Sequence, residues 1–97
     1  MLHLIMQTQF ESAILERIAS GDGIVLMHAN VWMACQQNQW QEKIQNLQQQ
    51  LCNVYVLSDD LSLFGVSKDK LLTGVEIIDR QQWVALTTQH AVIKTWH

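Results

Sequence analysis

Two cysteines, Cys35 and Cys52, and four histidines, His3, His28, His90 and His97, are the groups in this chain with the most chemistry to offer. A thiolate is a nucleophile and a sulfur carrier, and it forms at neutral pH only with help from a helix N-terminus or a nearby cation. Cys35 lies in a helical pattern between Ala34 and Gln36, with His28 at most two helical turns upstream. That pair is the candidate for a thiol tuned by an imidazole. The same positions also suit a buried apolar thiol and a histidine that caps a turn. Cys52 stands beside Leu51 at the opening of an apolar strand and reads as a buried filler. The two thiols match neither CxxC nor zinc spacing, so no metal, dithiol site or cofactor is expected.

No other catalytic set assembles. Ser12, Ser20, Ser58, Ser62 and Ser67 fall in cap and turn contexts with no nucleophile-elbow motif around them. Gly21-Asp22-Gly23 precedes a strand, whereas phosphate-binding glycine loops precede a helix. Asp59-Asp60 reads as a helix cap followed by a first-turn acid, which needs no ion. The tryptophans are more suggestive: Trp32 and Trp40, eight positions apart in a glutamine-rich helical pattern, share a face and suit a subunit interface. The alternative is that one of them covers the domain's own sheet.

These residues hang on a beat of strand and helix. Residues 2 to 6 read as a short strand, followed by a helix capped by Thr8 or Ser12 and running to about Ile18, with Phe10, Ile14, Leu15 and Ile18 on one face. Gly21-Asp22-Gly23 then turns into the unbroken apolar run Ile24-Val25-Leu26-Met27, a strand buried on both faces. It delivers His28 and Asn30 to its carboxyl end, where open α/β sheets keep their ligands. Residues 31–50 carry Val31, Ala34, Cys35, Ile44, Leu47 and Leu51 at helical spacing, with Gln36-Gln37-Asn38-Gln39 as a point where the helix can break. Asn53–Leu57 is a third strand. Ser58-Asp59-Asp60 caps a short helix that Gly65 stops in a left-handed C-cap. Val75–Ile78 is a fourth strand, Asp79 caps a helix from about Arg80 to Thr88 carrying Trp83, Val84 and Leu86, and a short strand at about Ala91–Thr95 finishes the pattern. The fold class is therefore α/β: a single three-layer domain over residues 1–97, with a mostly parallel sheet of four or five strands and helices on both faces.

Composition narrows the function. A chain of 97 residues makes one domain with a modest core, burying about 60–65% of its unfolded surface. Charged residues are 15% and apolar ones 48%, so glutamine replaces charge on the surface and the chain is expected to lean on partners. Nine acidic against six basic residues give a net charge of −3 with no Lys/Arg cluster, which argues against this chain alone holding a nucleic-acid backbone. The apolar start, Met1–Met6, has no basic leader or cleavage site, and no run reaches membrane-spanning length, so a cytoplasmic protein with free thiols is expected.

Taken in order, several segments resemble the TusB/DsrH family of sulfur-relay subunits: Met1-Leu2-His3, Gly21-Asp22 before Ile24-Val25-Leu26, and Val54-Tyr55 with Leu57. Asp60-Leu61 before Gly65, Ile77-Ile78-Asp79, Val84 with Leu86-Thr87, His90 and Trp96 continue the match along the whole length. The resemblance implies a fold like that of DsrE, DsrF and DsrH, and a non-catalytic subunit of a TusB-TusC-TusD assembly. Such an assembly is a dimer of heterotrimers that passes persulfide sulfur toward 2-thiouridine at the tRNA wobble position, with the carrier cysteine on the TusD-like chain. DsrH-like relatives of sulfur-oxidising bacteria have a cysteine in the first helix, where this chain has Ser12, Ala13, Ile14 and Leu15. That departure points to the tRNA-modification branch. The alternative is a sulfur carrier using Cys35, tuned by His28, in a DsrEFH-like sulfur oxidation or trafficking complex.

Overall fold

The computed structural model describes residues 1–6, 17–36, 40–90 and 92–96. Five strands, β1 (Leu2–Ile5), β2 (Gly23–Leu26), β3 (Asn53–Leu57), β4 (Glu76–Ile78) and β5 (Ile93–Trp96), form one sheet in the order β4-β3-β2-β1-β5. Every neighbouring pair is parallel. β2 is the central strand, and its residues and those of β1 are buried throughout; the sequence of β2 is accordingly an unbroken apolar run, whereas β1 carries the polar His3 in its interior. The helix expected before Ile18 falls largely outside the described residues.

Strands β1 to β4 step in one direction across the sheet and the chain then returns to place β5 beside β1. Right-handed crossovers therefore put the earlier connections on one face and the last one on the other. On the first face Ile5, Ile24, Leu26, Val54 and Val56 pack against three elements: a 3-10 helix (His28–Ala34), α1 (Gln41–Gln49) and α2 (Ser58–Leu63). Across the sheet Leu2, Leu4, Val25 and Met27 meet Trp83 and Leu86 of α3 (Arg80–Gln89). The second face is thinly covered, since α3 has no fully buried residue.

The expected helix over 31–50 divides. Leu72 N–H donates to Ala34 O at 2.8 Å and Gln36 N–H donates to Lys70 O at 2.7 Å, so residues 34–36 pair as a short antiparallel bridge with 70–72 and leave the helical path at Cys35. Trp32 consequently lies on the 3-10 helix and Trp40 sits at the N-cap of α1, so the two do not share one helix face as their spacing suggested.

The ends of α1 and α2 use the same device with different residues. After α2, Gly65 at φ 68° lets Val66 N–H reach Leu61 O at 2.9 Å and Gly65 N–H reach Ser62 O, a Schellman cap of the kind its sequence predicts. After α1 the same pair of bonds runs from Cys52 to Leu47 and from Leu51 to Gln48, but the left-handed residue is Leu51 at φ 66°, with its side chain 80% exposed. A β-carbon in that conformation costs about 1 kcal/mol relative to glycine.

Candidate functional site

Four sequence-derived candidates lie along one stretch of chain, and the structure places each differently. Cys35 is buried, and its Sγ lies 3.8 Å from Val31 O, toward which it donates. Burial pushes its thiol up, with Lys70 opposing in part, so the thiol and not the thiolate is the form at neutral pH. His28 and Cys35 flank the 3-10 helix, His28 opening it and Cys35 closing it. At about 2 Å of rise per residue that separates their backbones by roughly 14 Å, too far for the imidazole to touch the thiol. Trp32 is 46% exposed, whereas Trp40 is half-buried against the core with Lys43 Nζ 5.0 Å from its ring centroid. Cys52, just before β3, is also buried and donates from Sγ to Ala19 O at 3.3 Å.

Asn30, expected near the strand end, is buried and donates from Nδ2 to Ile5 O at 3.1 Å, tying the carboxyl ends of β1 and β2 together. His28 is different. Its φ of 56° lies in the left-handed region that few non-glycine residues adopt, histidine being one of those that do so more readily, and its N–H donates to Asp60 Oδ2 at 2.9 Å. The sequence reading of Ser58-Asp59-Asp60 holds for the acids, since Asp59 and Asp60 both lie in the first turn of α2, but its cap needs correction. Helix α2 already begins at Ser58, no side chain caps it, and the buried Asp60 carboxylate is spent on a backbone donor 32 positions away.

That bond shapes the mouth of a cavity of about 380 Å³ at the carboxyl ends of β2, β3 and β4. Met27, Leu57, Ile78 and Val84 form its apolar wall, and His28, Ser58, Asp59, Asp60, Arg80 and Trp83 bring the polar atoms. The Trp83 indole N–H is buried and has no acceptor among the described residues. Sequence reasoning flagged only His28 of this set. Asp60 and Arg80 were equally within reach, because each follows a strand's carboxyl end by two or three residues, the rule that singled out His28.

A second polar cluster lies at the opposite edge of the first face. His3 is 2% exposed, its Nε2 is 2.9 Å from Asp22 Oδ2, and Trp96 Nε1–H donates to His3 Nδ1 at 3.2 Å. Because Nδ1 accepts, Nε2 carries the ring hydrogen and donates to Asp22. Asp22 also accepts from the Ala19 N–H and the Met1 amine. Burial works against its charge, but these bonds outweigh it and hold the carboxyl below its ordinary 3.8. The cluster joins β1, the turn before β2 and β5, and all its polar atoms are used within the fold. His90 sits at the C-cap of α3. Among the described residues no group of three or more His, Cys, Asp or Glu side chains is placed to hold a metal, and no helix is long and apolar enough to cross a membrane.

With this geometry described, the relation to known proteins is direct. The family described as DsrH like protein matches residues 6–93. The chain belongs to the DsrH-like family. It is thereby a sulfur-relay-type protein with an α/β fold, in agreement with the residues that carried the resemblance. Among solved structures, the crystal structure of ychN protein from E. coli superposes on the DsrH-like chain with a TM-score of 0.77 at 18% identity, covering 98% of this chain and 97% of that one, a likeness of fold. No functionally curated protein matches.

Proposed function

We propose that this DsrH-like chain is a non-catalytic subunit of a cytoplasmic TusBCD-like sulfurtransferase complex, relaying persulfide sulfur for 2-thiolation of the tRNA wobble uridine. In this reading TusC-like and TusD-like subunits join it in a dimer of heterotrimers, and the TusD-like chain carries the sulfur. The observation that carries the reading is the state of the two thiols. A carrier must present a thiolate to a donor persulfide. Cys35 and Cys52 are each only 5% exposed, both donate to backbone carbonyls, and burial raises the thiol of Cys35.

The exposed Trp32 supports a role in assembly, since a large aromatic side chain left in water is the kind of group that anchors an interface, at about 2–4 kcal/mol when it is a hot spot. The net charge of −3 supports contact with RNA through partners instead of through this chain alone. Relay assays on the assembled complex test the proposal. Cys35→Ser and Cys52→Ser in this chain are expected to leave sulfur transfer unchanged, and loss of transfer in the Cys35 variant, with the complex intact, would overturn it.

A further inference from the structure

The outer side of β5 is where the fold leaves hydrogen-bonding capacity and charge together. Leu2 pairs with Ile93 and Leu4 with Thr95, and in this register β1 bonds to the residues on either side of each: Leu2 N–H donates to Val92 O at 3.0 Å and Met6 N–H to Trp96 O at 2.9 Å. Val92, Lys94 and Trp96 therefore turn their backbone groups toward β1, and Ile93 and Thr95 turn theirs to the open edge, since alternate residues of a parallel strand face opposite neighbours. No strand lies beyond β5 among the described residues. Such an edge is a template for another chain unless it is blunted, and this one has neither a proline nor a bulge. We propose that β5 receives an acidic extended segment of a partner protein as a sixth strand of the sheet.

The first face sets the charge of that segment. Lys94 and Trp96 share this face with their register partners His3 and Ile5. Lys94 Nζ lies 5.1 Å and Arg17 Cζ 5.9 Å from the Trp96 ring centroid, so two cations converge on one aromatic at the edge. Both are exposed, and neither makes an ion pair among the described residues. The carboxylate reached from Trp96 through His3 is Asp22, which His3, the Ala19 N–H and the Met1 amine already occupy.

Side chains directly opposite on neighbouring strands have β-carbons about 5 Å apart, so a Glu or Asp entering opposite Lys94 completes a pair, whereas a like charge there repels. A second copy of β5 brings its own Lys94 and Arg17 to the seam. The cations that admit an acidic strand thus turn away this chain's own edge. On the second face Ile93 is 41% exposed beside Thr95, and a β-branched side chain on the incoming strand packs against them. The segment that fits alternates acidic and β-branched residues over about five positions, an ordinary strand length. Backbone bonds to Ile93 and Thr95 hold it, and the alternation makes it specific.

The test uses the full chain, labelled with ¹⁵N, and follows its backbone amides while three probes are titrated in turn. These are the acetylated and amidated peptide Thr-Glu-Val-Glu-Thr, its counterpart Thr-Lys-Val-Lys-Thr, and a short oligouridylate. The glutamate peptide is expected to shift the Ile93 and Thr95 amides saturably and to protect them from hydrogen exchange, with the amides of β3 unmoved. Thr95→Pro removes an N–H that the ladder to β1 does not use, so it should weaken the peptide roughly tenfold, whereas Thr95→Ala should bind as the native chain does. Lys94→Glu, at an exposed position, should reverse the preference between the two peptides, a readout that survives even if the proline variant fails to fold. Absence of a saturable shift with the glutamate peptide would overturn the proposal. So would equal or tighter binding of the lysine peptide, displacement of the glutamate peptide by the oligouridylate, or a Lys94→Glu variant that keeps the native preference.

Discussion

Replacing Asp60 by alanine is expected to destabilise the fold more than its place in a six-residue helix suggests. The carboxylate is 8% exposed and accepts the His28 N–H at 2.9 Å, a bond that pins a non-glycine residue at φ 56°. Deleting it removes a charge-assisted hydrogen bond and orphans the donor, together worth about 2–3 kcal/mol. In a domain of this size 1 kcal/mol moves the melting temperature by roughly 4–8 °C, so a fall of about 10–20 °C is expected. Asp60→Asn keeps an acceptor oxygen and should cost about half as much. Urea unfolding followed by circular dichroism gives the difference from the shift in midpoint at unchanged m. His28→Gly supplies the internal check: it relieves the left-handed strain, so adding it to Asp60→Ala should recover about 1 kcal/mol. An Asp60→Ala cost below about 0.5 kcal/mol would refute the reasoning, because that is the scale of an unremarkable surface substitution.

Other expectations follow from single contacts. Leu51→Gly, at φ 66° and 80% exposed, should raise stability by about 1 kcal/mol in the same urea assay, where Gly65→Ala at the equivalent cap of α2 should lower it by a similar amount. Asp22→Asn should cost about 2–4 kcal/mol at pH 7, since the carboxylate serves His3, Ala19 and the amino terminus. The folded Asp22 carboxyl sits below its unfolded value of 3.8, so its contribution is whole above that pH and disappears as pH falls through the lower folded value. The stability gap between native chain and variant should therefore close in acid, as chemical denaturation between pH 7 and pH 3 would record. Iodoacetamide should label Cys35 of the folded chain far more slowly than a free thiol, with mass spectrometry reporting the rate and denaturant restoring it. Trp32→Ser should weaken assembly with partner subunits in sizing experiments while leaving the urea midpoint of the isolated chain within about 0.5 kcal/mol.

Much of the architecture was legible because its signals are local. The apolar run Ile24–Met27 identified a strand buried on both faces, Gly65 marked a left-handed cap, and Asp79 announced a helix that it indeed caps reciprocally with Gln82. A break near Gln36-Gln37-Asn38-Gln39 was legible, but its cause was not, since the chain leaves the helical path at Cys35 through pairing with residues 70–72 and nothing in the 31–50 periodicity reports a bridge to a distant loop. Trp32 and Trp40 were placed on one face for the same reason. Asp60 shows the limit most clearly: its type and position suit a first-turn acid, and only the meeting of β2 with α2 reveals the His28 N–H as its partner. Trp83 was placed on the last helix, and the sequence could not show that its indole N–H would end up buried with no acceptor among the described residues.

The central claim, that this chain organises a sulfur relay without carrying sulfur, is tested most directly by co-expressing it with TusC-like and TusD-like proteins of the same organism. The isolated complex is then treated with a persulfide donor, sized, and each chain weighed intact. The account predicts a stable hetero-oligomer in which only the TusD-like chain gains the mass of sulfur. A sulfur adduct on Cys35 of this chain, formed in the assembled complex and lost in Cys35→Ser, would contradict it.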